Sequence, residues 1–278
     1  MNSVDASIAQ HYGRGELETA LLEGLRRMGL DGEAPLAAED LHGLDEFHIG
    51  GGEATAGLVA RMGLQPGMTV LDIGSGLGGP ARHMARHNGV TVTGIDLTPE
   101  YVALATSLTA RAGLAESVTF HQGSAAALPL GPGRFDAATL MHVGMNLPDK
   151  GAVFASVHAA LRPGGAFAVY DVMKTGEGDL AYPVPWATTP ASSFLAGPRE
   201  YRDALEGAGF VIEHEEDRRE FALDFFRRLR ARQQAAGGPP PVGLHLVMGS
   251  DAPTKIGNML ANIQEGLIAP VEMLCRRP

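Results

Sequence analysis

The 278-residue chain has 22 basic and 32 acidic side chains, a formal net charge of −10 and one cysteine. A chain of this length can bury one sizeable core, and the acidic balance gives no electrostatic footprint for nucleic acid or an anionic membrane. Cys275 cannot form an internal disulfide, which fits a reducing compartment. No apolar run reaches the roughly 18 residues of a membrane helix, and residues 1–15 lack the apolar core of a signal peptide. We expect a cytoplasmic protein that acts on a small molecule, with its oligomeric state left open.

The first sixty residues are predicted to form a helical cap. Apolar residues recur at helical spacing over 16–28, and further helices are expected over 35–43 and 53–62. A glycine-rich connection, 44–52, separates the last two. This region is too short and too helical for an independent domain, so we expect it to cover a ligand site.

Strands and helices alternate from residue 69 onward, which predicts a doubly wound α/β sheet. Strands are predicted at 69–73, 90–96, 117–122, 134–141, 165–172, 210–216 and 269–276. Helices are predicted at 79–88, 98–112, 149–161, 198–208, 221–236 and 253–264, with a short turn at 124–129. The last strand should return to the same sheet. We therefore expect one domain over 1–278, made of a cap (1–62), a cofactor-binding core (63–218) and a helical insertion with the final strand (219–278).

A glycine-rich loop between the first strand and the next helix organises the chain. Such a loop places backbone N–H groups and the positive end of a helix against a ligand, and glycines let the backbone approach closely. Gly74, Gly76 and Gly79 satisfy the dinucleotide pattern G-x-G-x-x-G. A second acid, Asp96, ends the next strand and suits a ribose in either a dinucleotide or a nucleoside cofactor.

The acid before the loop discriminates between two cofactors. Asp72 would repel a pyrophosphate, whereas S-adenosylmethionine has no phosphate and carries an ammonium and a sulfonium. The residues therefore favour S-adenosylmethionine, with a nicotinamide-dependent oxidoreductase as the alternative.

Histidines supply the candidate catalytic groups. His142 follows a buried strand at the edge where ligands bind in such sheets, so it is either a base or cofactor contact, or a satisfied core histidine. His48 lies in the glycine-bounded connection, which could close over the cofactor or simply pack in place. His83 and His87 have the i, i+4 spacing of metal ligands, but no third ligand stands at a recognisable spacing. We expect no metal site.

Segments along nearly the whole chain resemble the class I S-adenosylmethionine-dependent methyltransferases, and more narrowly the branch that includes sarcosine/dimethylglycine N-methyltransferases. The segments are 11–13, 45–51, 72–78, 93–98, 141–146, 161–165, 170–171, 183–186, 193–195 and 269–273. The resemblance implies a Rossmann-like, seven-stranded sheet whose last strand is antiparallel. Two residues depart from the pattern: Glu46 replaces a usual glutamine, and Ser124 stands where many relatives have an aspartate.

The resemblance also implies the roles of individual residues. Asp72 and the loop would surround the methionine part of the cofactor, Asp96 would hold the ribose hydroxyls, and Leu97 would pack on the adenine. The remaining cofactor contacts that it implies are Gly74, Ser75, Gly76, Gly78, Ser124, Ala125 and His142.

The acceptor is predicted to lie near aromatic residues after the fifth strand. Tyr182, Trp186 and Phe194 could line an amine pocket, because aromatic faces attract ammonium groups, or could cover the sheet edge. Asn146 is a further substrate candidate. We expect methyl transfer to a small molecule, with sarcosine or dimethylglycine implied by the resemblance. The alternatives are O- or C-methylation of a natural-product scaffold, and cofactor binding without catalysis.

Overall fold

A seven-stranded sheet runs through the middle of the protein. Its strands are β1 (Thr69–Ile73), β2 (Thr91–Asp96), β3 (Val118–Gln122), β4 (Phe135–Met141), β5 (Leu161–Lys174), β6 (Val211–Asp217) and β7 (Ile268–Arg276). They are ordered β3-β2-β1-β4-β5-β7-β6. The pairs among β1 to β5 are parallel, whereas β7 is antiparallel to both β5 and β6. This arrangement confirms the predicted doubly wound sheet with an antiparallel last strand.

The computed structural model describes residues 11–13, 17–30, 34–41, 43–128 and 130–278. The helices are α1 (Leu17–Arg27), α2 (Ala38–Leu41), α3 (Gly51–Met62), α4 (Gly79–Asn88), α5 (Pro99–Arg111), α6 (Lys150–Ala160), α7 (Pro198–Gly207), α8 (Arg219–Ala235), α9 (Leu244–Met248) and α10 (Ala252–Gln264). Parts of the predicted cap and turn, including residues 1–10, 14–16, 42 and 129, lie outside the described residues.

Two segments differ from the sequence prediction. The fifth strand, predicted over 165–172, is longer in the structure: β5 begins at Leu161 and includes Gly164, which has a left-handed φ of +78°, and the pairing register with β4 shifts near its start. Helix α9 was not predicted, because five residues are too few to show a helical period. Its Val247 reaches the ligand cavity described below.

The parallel strands are buried on both faces, as expected where helices cover a sheet on each side. In β1, Leu71 and Ile73 face one apolar cluster, which contains Phe154 of α6. Val70 faces the other cluster, which contains Leu58 of α3. Side chains of β1 thus point alternately to the two clusters. This alternation fixes the register of β1 and therefore the position of its final residues.

The cap packs on the cofactor-binding core through apolar and ionic contacts. Leu21 and Leu25 of α1 share a buried cluster with Leu104 of α5. The connection before α3 is tied to α4 by a buried ion pair between Arg82 and Asp45, 2.7 Å apart. Across the described part of the chain, no helix has the length and apolar character needed to cross a bilayer.

Candidate cofactor and acceptor site

A cavity of about 330 Å³ opens at the carboxyl ends of β1, β2 and β4. Most of the predicted site residues line it: Asp72, Gly74, Ser75, Gly76, Asp96, Leu97, Ser124, Ala125, His142, His48 and Asn146. Ligands bind at this edge because neighbouring parallel strands end there and their loops diverge. Residues from the cap, the sheet and α9 therefore meet around one space.

The glycine loop has a backbone that side chains would disrupt. Gly74 and Gly76 have left-handed φ values of +67° and +52°. A Cβ atom on Gly74 would stand 2.3 Å from Cγ2 of Val143, so the turn after β4 occupies the space of a side chain. The N–H groups of Gly74 and Ser75 both donate to the carbonyl of Ile95, at 2.8 and 3.1 Å. The loop is thereby pinned to the end of β2.

Asp72 is a buried carboxylate with one oxygen still available. Its Oδ1 accepts a hydrogen bond from the Thr139 hydroxyl at 2.7 Å. Its Oδ2 has no partner among the described residues. Burial raises the pKa of Asp72 from 3.8 to about 7. A buried, unpartnered carboxylate oxygen is costly on its own, and an ammonium from a ligand would offset that cost.

Asp96 is held in place by backbone donors. Its Oδ2 accepts from the N–H of Gly76 and its Oδ1 from the N–H of Thr98, each at 2.8 Å. Burial raises the pKa of Asp96, while these N–H donors act in the opposite direction. Each carboxylate oxygen can accept more than one hydrogen bond, so the fixed group can still receive two ribose hydroxyls.

One predicted cofactor residue does not line the cavity. Gly78 is the left-handed residue before α4, with φ +82°. A Cβ atom there would lie 2.5 Å from the ring of Phe120. The predicted contact with the cofactor is therefore corrected: close packing on β3 and the start of α4 explain this glycine.

Two histidines stand side by side in the cavity wall. The rings of His48 and His142 have centroids 5.9 Å apart. Burial lowers the pKa of His48 to about 4 and holds the pKa of His142 well below its usual value. Nε2 of His48 lies 3.1 Å from the carbonyl of Gly51, which can only accept, so Nε2 carries the proton of the neutral ring. Both imidazoles are neutral at physiological pH.

His142 is also conformationally unusual. It has a φ of +54°, and the structure gives no other non-glycine residue a positive φ within its described part. The N–H of His142 donates to the carbonyl of Tyr170 at 2.7 Å, and its Nε2 is buried without a partner among the described residues. Non-glycine residues with positive φ are uncommon and cluster at functional sites.

Three aromatic residues line the cavity that the sequence analysis did not predict as substrate residues. They are Tyr12, Phe47 and Tyr101. The ring of Tyr12 lies 6.3 Å from Phe47 and 6.1 Å from Tyr101, and its hydroxyl accepts from Nδ2 of Asn146 at 3.1 Å. The segments with Tyr12 and Phe47 carried the family resemblance. The resemblance therefore indicated that these two segments matter. That Tyr12 and Phe47 lie next to Tyr101 of α5 depends on the tertiary fold.

The predicted substrate aromatics Tyr182, Trp186 and Phe194 do not line this cavity. Trp186 is 3% exposed and belongs to an apolar cluster that also contains Met145. Its indole N–H donates to the Ser193 hydroxyl at 3.0 Å. The amine-pocket interpretation is therefore corrected, because Trp186 is a packed core residue whose polar atom is already satisfied.

Potential metal ligands lie away from the cavity. In the described ranges, one group of three comes within 4.8 Å, namely His214, Glu216 and Glu272. Arg61 forms ion pairs with both glutamates, at 3.0 and 3.1 Å, and Arg218 also contacts both. The negative charge of this group is therefore already balanced by guanidinium groups.

Comparisons with known proteins bear on the family. Residues 70–165 match a family described as "Methyltransferase domain". The chain is 32% identical over 169 residues to a sterol 24-C-methyltransferase of Yarrowia lipolytica, a match that covers 58% of this chain and 44% of the relative. The chain thus spans less than half the length of that curated relative.

Residues 70–165 therefore form a methyltransferase domain.

Solved structures share the fold of the methyltransferase domain. A geranyl diphosphate C-methyltransferase from Streptomyces coelicolor A3(2) superposes with a TM-score of 0.72 at 17% identity, covering 100% of this chain and 98% of its own. A candidate sarcosine dimethylglycine methyltransferase from Galdieria sulphuraria gives 0.64 at 22% identity, over 81% and 83% of the two chains. These likenesses establish the architecture and do not single out the sarcosine branch.

The cavity of the methyltransferase domain fits S-adenosylmethionine, which is its cofactor. The free Oδ2 of Asp72 suits the ammonium of the methionine part, and the fixed carboxylate of Asp96 suits the ribose. Leu97, Ser124 and Ala125 border the cavity next to Asp96, where an adenine would lie. When bound, this cofactor would supply the methyl group, and the family match argues against the nicotinamide alternative.

Proposed function

We propose that this domain transfers a methyl group from S-adenosylmethionine to carbon or oxygen of a small, uncharged and largely apolar acceptor. The observation that carries the proposal is the charge of the cavity wall. Among the described lining residues there is no lysine or arginine; the charged side chains are acids, of which Asp45 is paired with Arg82, Asp72 and Asp96 are assigned to the cofactor, and Asp149 remains.

An anionic acceptor would be poorly accommodated in such a wall. Sarcosine and dimethylglycine carry a carboxylate, which would find no lysine or arginine among the described lining residues to pair with. Leaving a buried charge unpaired costs far more than leaving a neutral group unpaired. For the choice of acceptor, we therefore give the composition of the cavity wall more weight than the resemblance to sarcosine/dimethylglycine N-methyltransferases.

Apolar side chains form a large part of the cavity wall. They are contributed by the cap, the sheet, the turn after β4 and α9, and they include Leu44, Phe47, Met141, Leu147 and Val247. The sequence relative from Yarrowia lipolytica is a sterol 24-C-methyltransferase, and its name supports a hydrophobic acceptor and transfer to carbon.

The wall residues suit the requirements of methyl transfer. The reaction needs alignment of the acceptor, exclusion of water and, for many acceptors, loss of a proton. His142 is a neutral imidazole within the wall whose Nε2 has no partner among the described residues, so it is the candidate to receive that proton, although burial lowers its pKa and makes it a weak base. Tyr12 and Phe47 present aromatic faces that would stabilise positive charge developing on the acceptor.

A labelled-methyl assay with matched acceptors tests the proposal. Phenols and alkenes with apolar groups of increasing size would be compared with sarcosine. A second comparison would set sarcosine against a secondary amine of similar size that lacks the carboxylate. We expect transfer to the uncharged apolar compounds, with the product identified by mass. Efficient methylation of sarcosine or dimethylglycine, with no transfer to uncharged acceptors, would overturn the proposal and leave the cofactor assignment intact.

A further inference from the structure

A group of buried polar side chains lies behind the turn that follows β4, outside the cavity. The turn, residues 142–147, carries His142 and Asn146 into the cavity wall. Behind it stand Asp171 on β5 and Tyr201 on α7, both fully buried. Neither lines the cavity, and the chemistry proposed above uses neither.

Asp171 connects Tyr201 to the backbone near the turn. The Tyr201 hydroxyl donates to Oδ2 of Asp171 at 2.7 Å, and the N–H of Val172 donates to Oδ1 at 3.0 Å. The backbone of Gly144 packs directly against the same carboxylate, and its N–H acts to lower the pKa of Asp171. One carboxylate therefore links α7, β5 and the middle of the turn.

The turn is fixed on both sides of Gly144. At its start, the N–H of His142 donates to the carbonyl of Tyr170, the residue before Asp171. At its end, the ammonium of Lys150 donates to the carbonyl of Leu147 at 3.0 Å. These contacts hold the backbone of residues 142–147 at three points.

The fit between the turn and the two side chains is close. A Cβ atom on Gly144 would lie 2.1 Å from Oδ2 of Asp171 and 2.2 Å from the Tyr201 hydroxyl. No side chain can be added there without displacing one of these groups. Two residues earlier, His142 has the positive φ that a non-glycine residue keeps only when its surroundings impose it.

We infer that Asp171 and Tyr201 are positioning residues that fix His142 and Asn146 for the acceptor, without contacting either the acceptor or the cofactor. The expected effect on turnover rests on the proposed function. The expected displacement of His142 can be measured without any acceptor. The acids assigned to the cofactor, Asp72 and Asp96, lie on β1 and β2, so loss of this pair should affect turnover more than the affinity for the cofactor.

The test compares Tyr201→Phe with a matched loss of a hydroxyl elsewhere. Tyr201→Phe keeps the ring and removes the donor to Asp171. The control is Thr175→Val, because the Thr175 hydroxyl accepts from Arg219 at 2.7 Å, at a distance from the cavity. Imidazole resonances would be recorded by NMR with saturating S-adenosylhomocysteine, and His142 assigned by its absence in His142→Gln. Calorimetry would measure the affinity for S-adenosylhomocysteine.

We expect Tyr201→Phe to keep most of the affinity for S-adenosylhomocysteine, while the His142 resonance moves. Turnover of an identified acceptor should fall about tenfold to a hundredfold, the usual result of a small misplacement. Gly144→Ala should move the same resonance. The inference is overturned if the His142 resonance stays in place in Tyr201→Phe, if Thr175→Val moves it equally, or if the affinity for S-adenosylhomocysteine falls as much as turnover. A displaced resonance with no active acceptor would contradict only the proposed function.

Discussion

The backbone N–H of Gly76 donates to Oδ2 of Asp96 over 2.8 Å, so the glycine loop itself orients the acid at the end of the neighbouring strand. A second N–H, from Thr98, orients the other oxygen. The carboxylate thus has a fixed direction before any ligand binds. Such preorganisation lowers the entropic cost of binding.

Removing this carboxylate should weaken cofactor binding. We expect Asp96→Ala to reduce the affinity for S-adenosylhomocysteine by about 1.5–3 kcal/mol, the scale of hydrogen bonds to a charged acceptor. Isothermal calorimetry measures the change, and Asp203→Ala, at an exposed position on α7, is the control. Unchanged affinity in a folded Asp96→Ala variant would contradict the proposed ribose contact.

The affinity for the cofactor should depend on pH through Asp72. Its pKa in the free protein is about 7, so the carboxyl is mostly protonated at pH 6 and mostly charged at pH 8. The charged form pairs with an ammonium, and we therefore expect S-adenosylhomocysteine to bind more tightly as pH rises from 6 to 8. Asp72→Asn should flatten this dependence. Methylthioadenosine lacks the amino group, and an equal pH dependence for it would argue against the pairing.

The same carboxyl should affect stability in the opposite direction. Its pKa is raised on folding, so the stabilisation that it contributes in its protonated form is lost as pH rises through about 7. Asp72→Asn keeps a neutral group at every pH. The loss begins near pH 3.8, the ordinary pKa, and is complete above about 7, so we expect this variant to exceed the parent in free energy of unfolding by more at pH 8 than at pH 5, in urea titrations without cofactor. Asp203→Asn, exposed on α7, should show no such difference between the two pH values.

The glycine loop should not tolerate a side chain at its first glycine. Gly74→Ala adds a Cβ atom 2.3 Å from Val143 to a residue with φ +67°. Gly113→Ala imposes a similar φ of +71°, but no atom lies within 4 Å of its Cβ. Backbone strain of this kind costs about 1–3 kcal/mol, and Gly74→Ala should cost more because the turn carrying His142 must move. Equal losses of unfolding free energy in the two variants would show that the close contact is unimportant.

Metal chelation should leave the domain active. The acids of the cavity are matched to an ammonium and a ribose, while His83 and His87 lie on α4 away from the lining residues. We expect EDTA to change neither the affinity for S-adenosylhomocysteine nor methyl transfer. A loss of transfer that one particular divalent ion restores would show that the acceptor is bound through a metal.

The sequence by itself determined the sheet, the glycine loop and the two acids that flank it. These features depend on local chemistry: apolar runs of strand length, glycines where the backbone needs a left-handed φ, and an acid at each strand end. Asp72 and Asp96 are close because the carboxyl ends of adjacent parallel strands meet at one edge. A local pattern together with one topological rule was therefore sufficient to predict their proximity.

Only the tertiary structure decided which aromatic residues line the cavity. Trp186 and Tyr12 both lie in segments that resemble the same family, yet Trp186 is packed in the core whereas Tyr12 reaches Asn146, 134 residues away in sequence. The burial of Asp171 beneath Gly144 has the same origin. Side-chain contacts between distant segments follow from how the layers pack, and neither residue spacing nor composition encodes that packing.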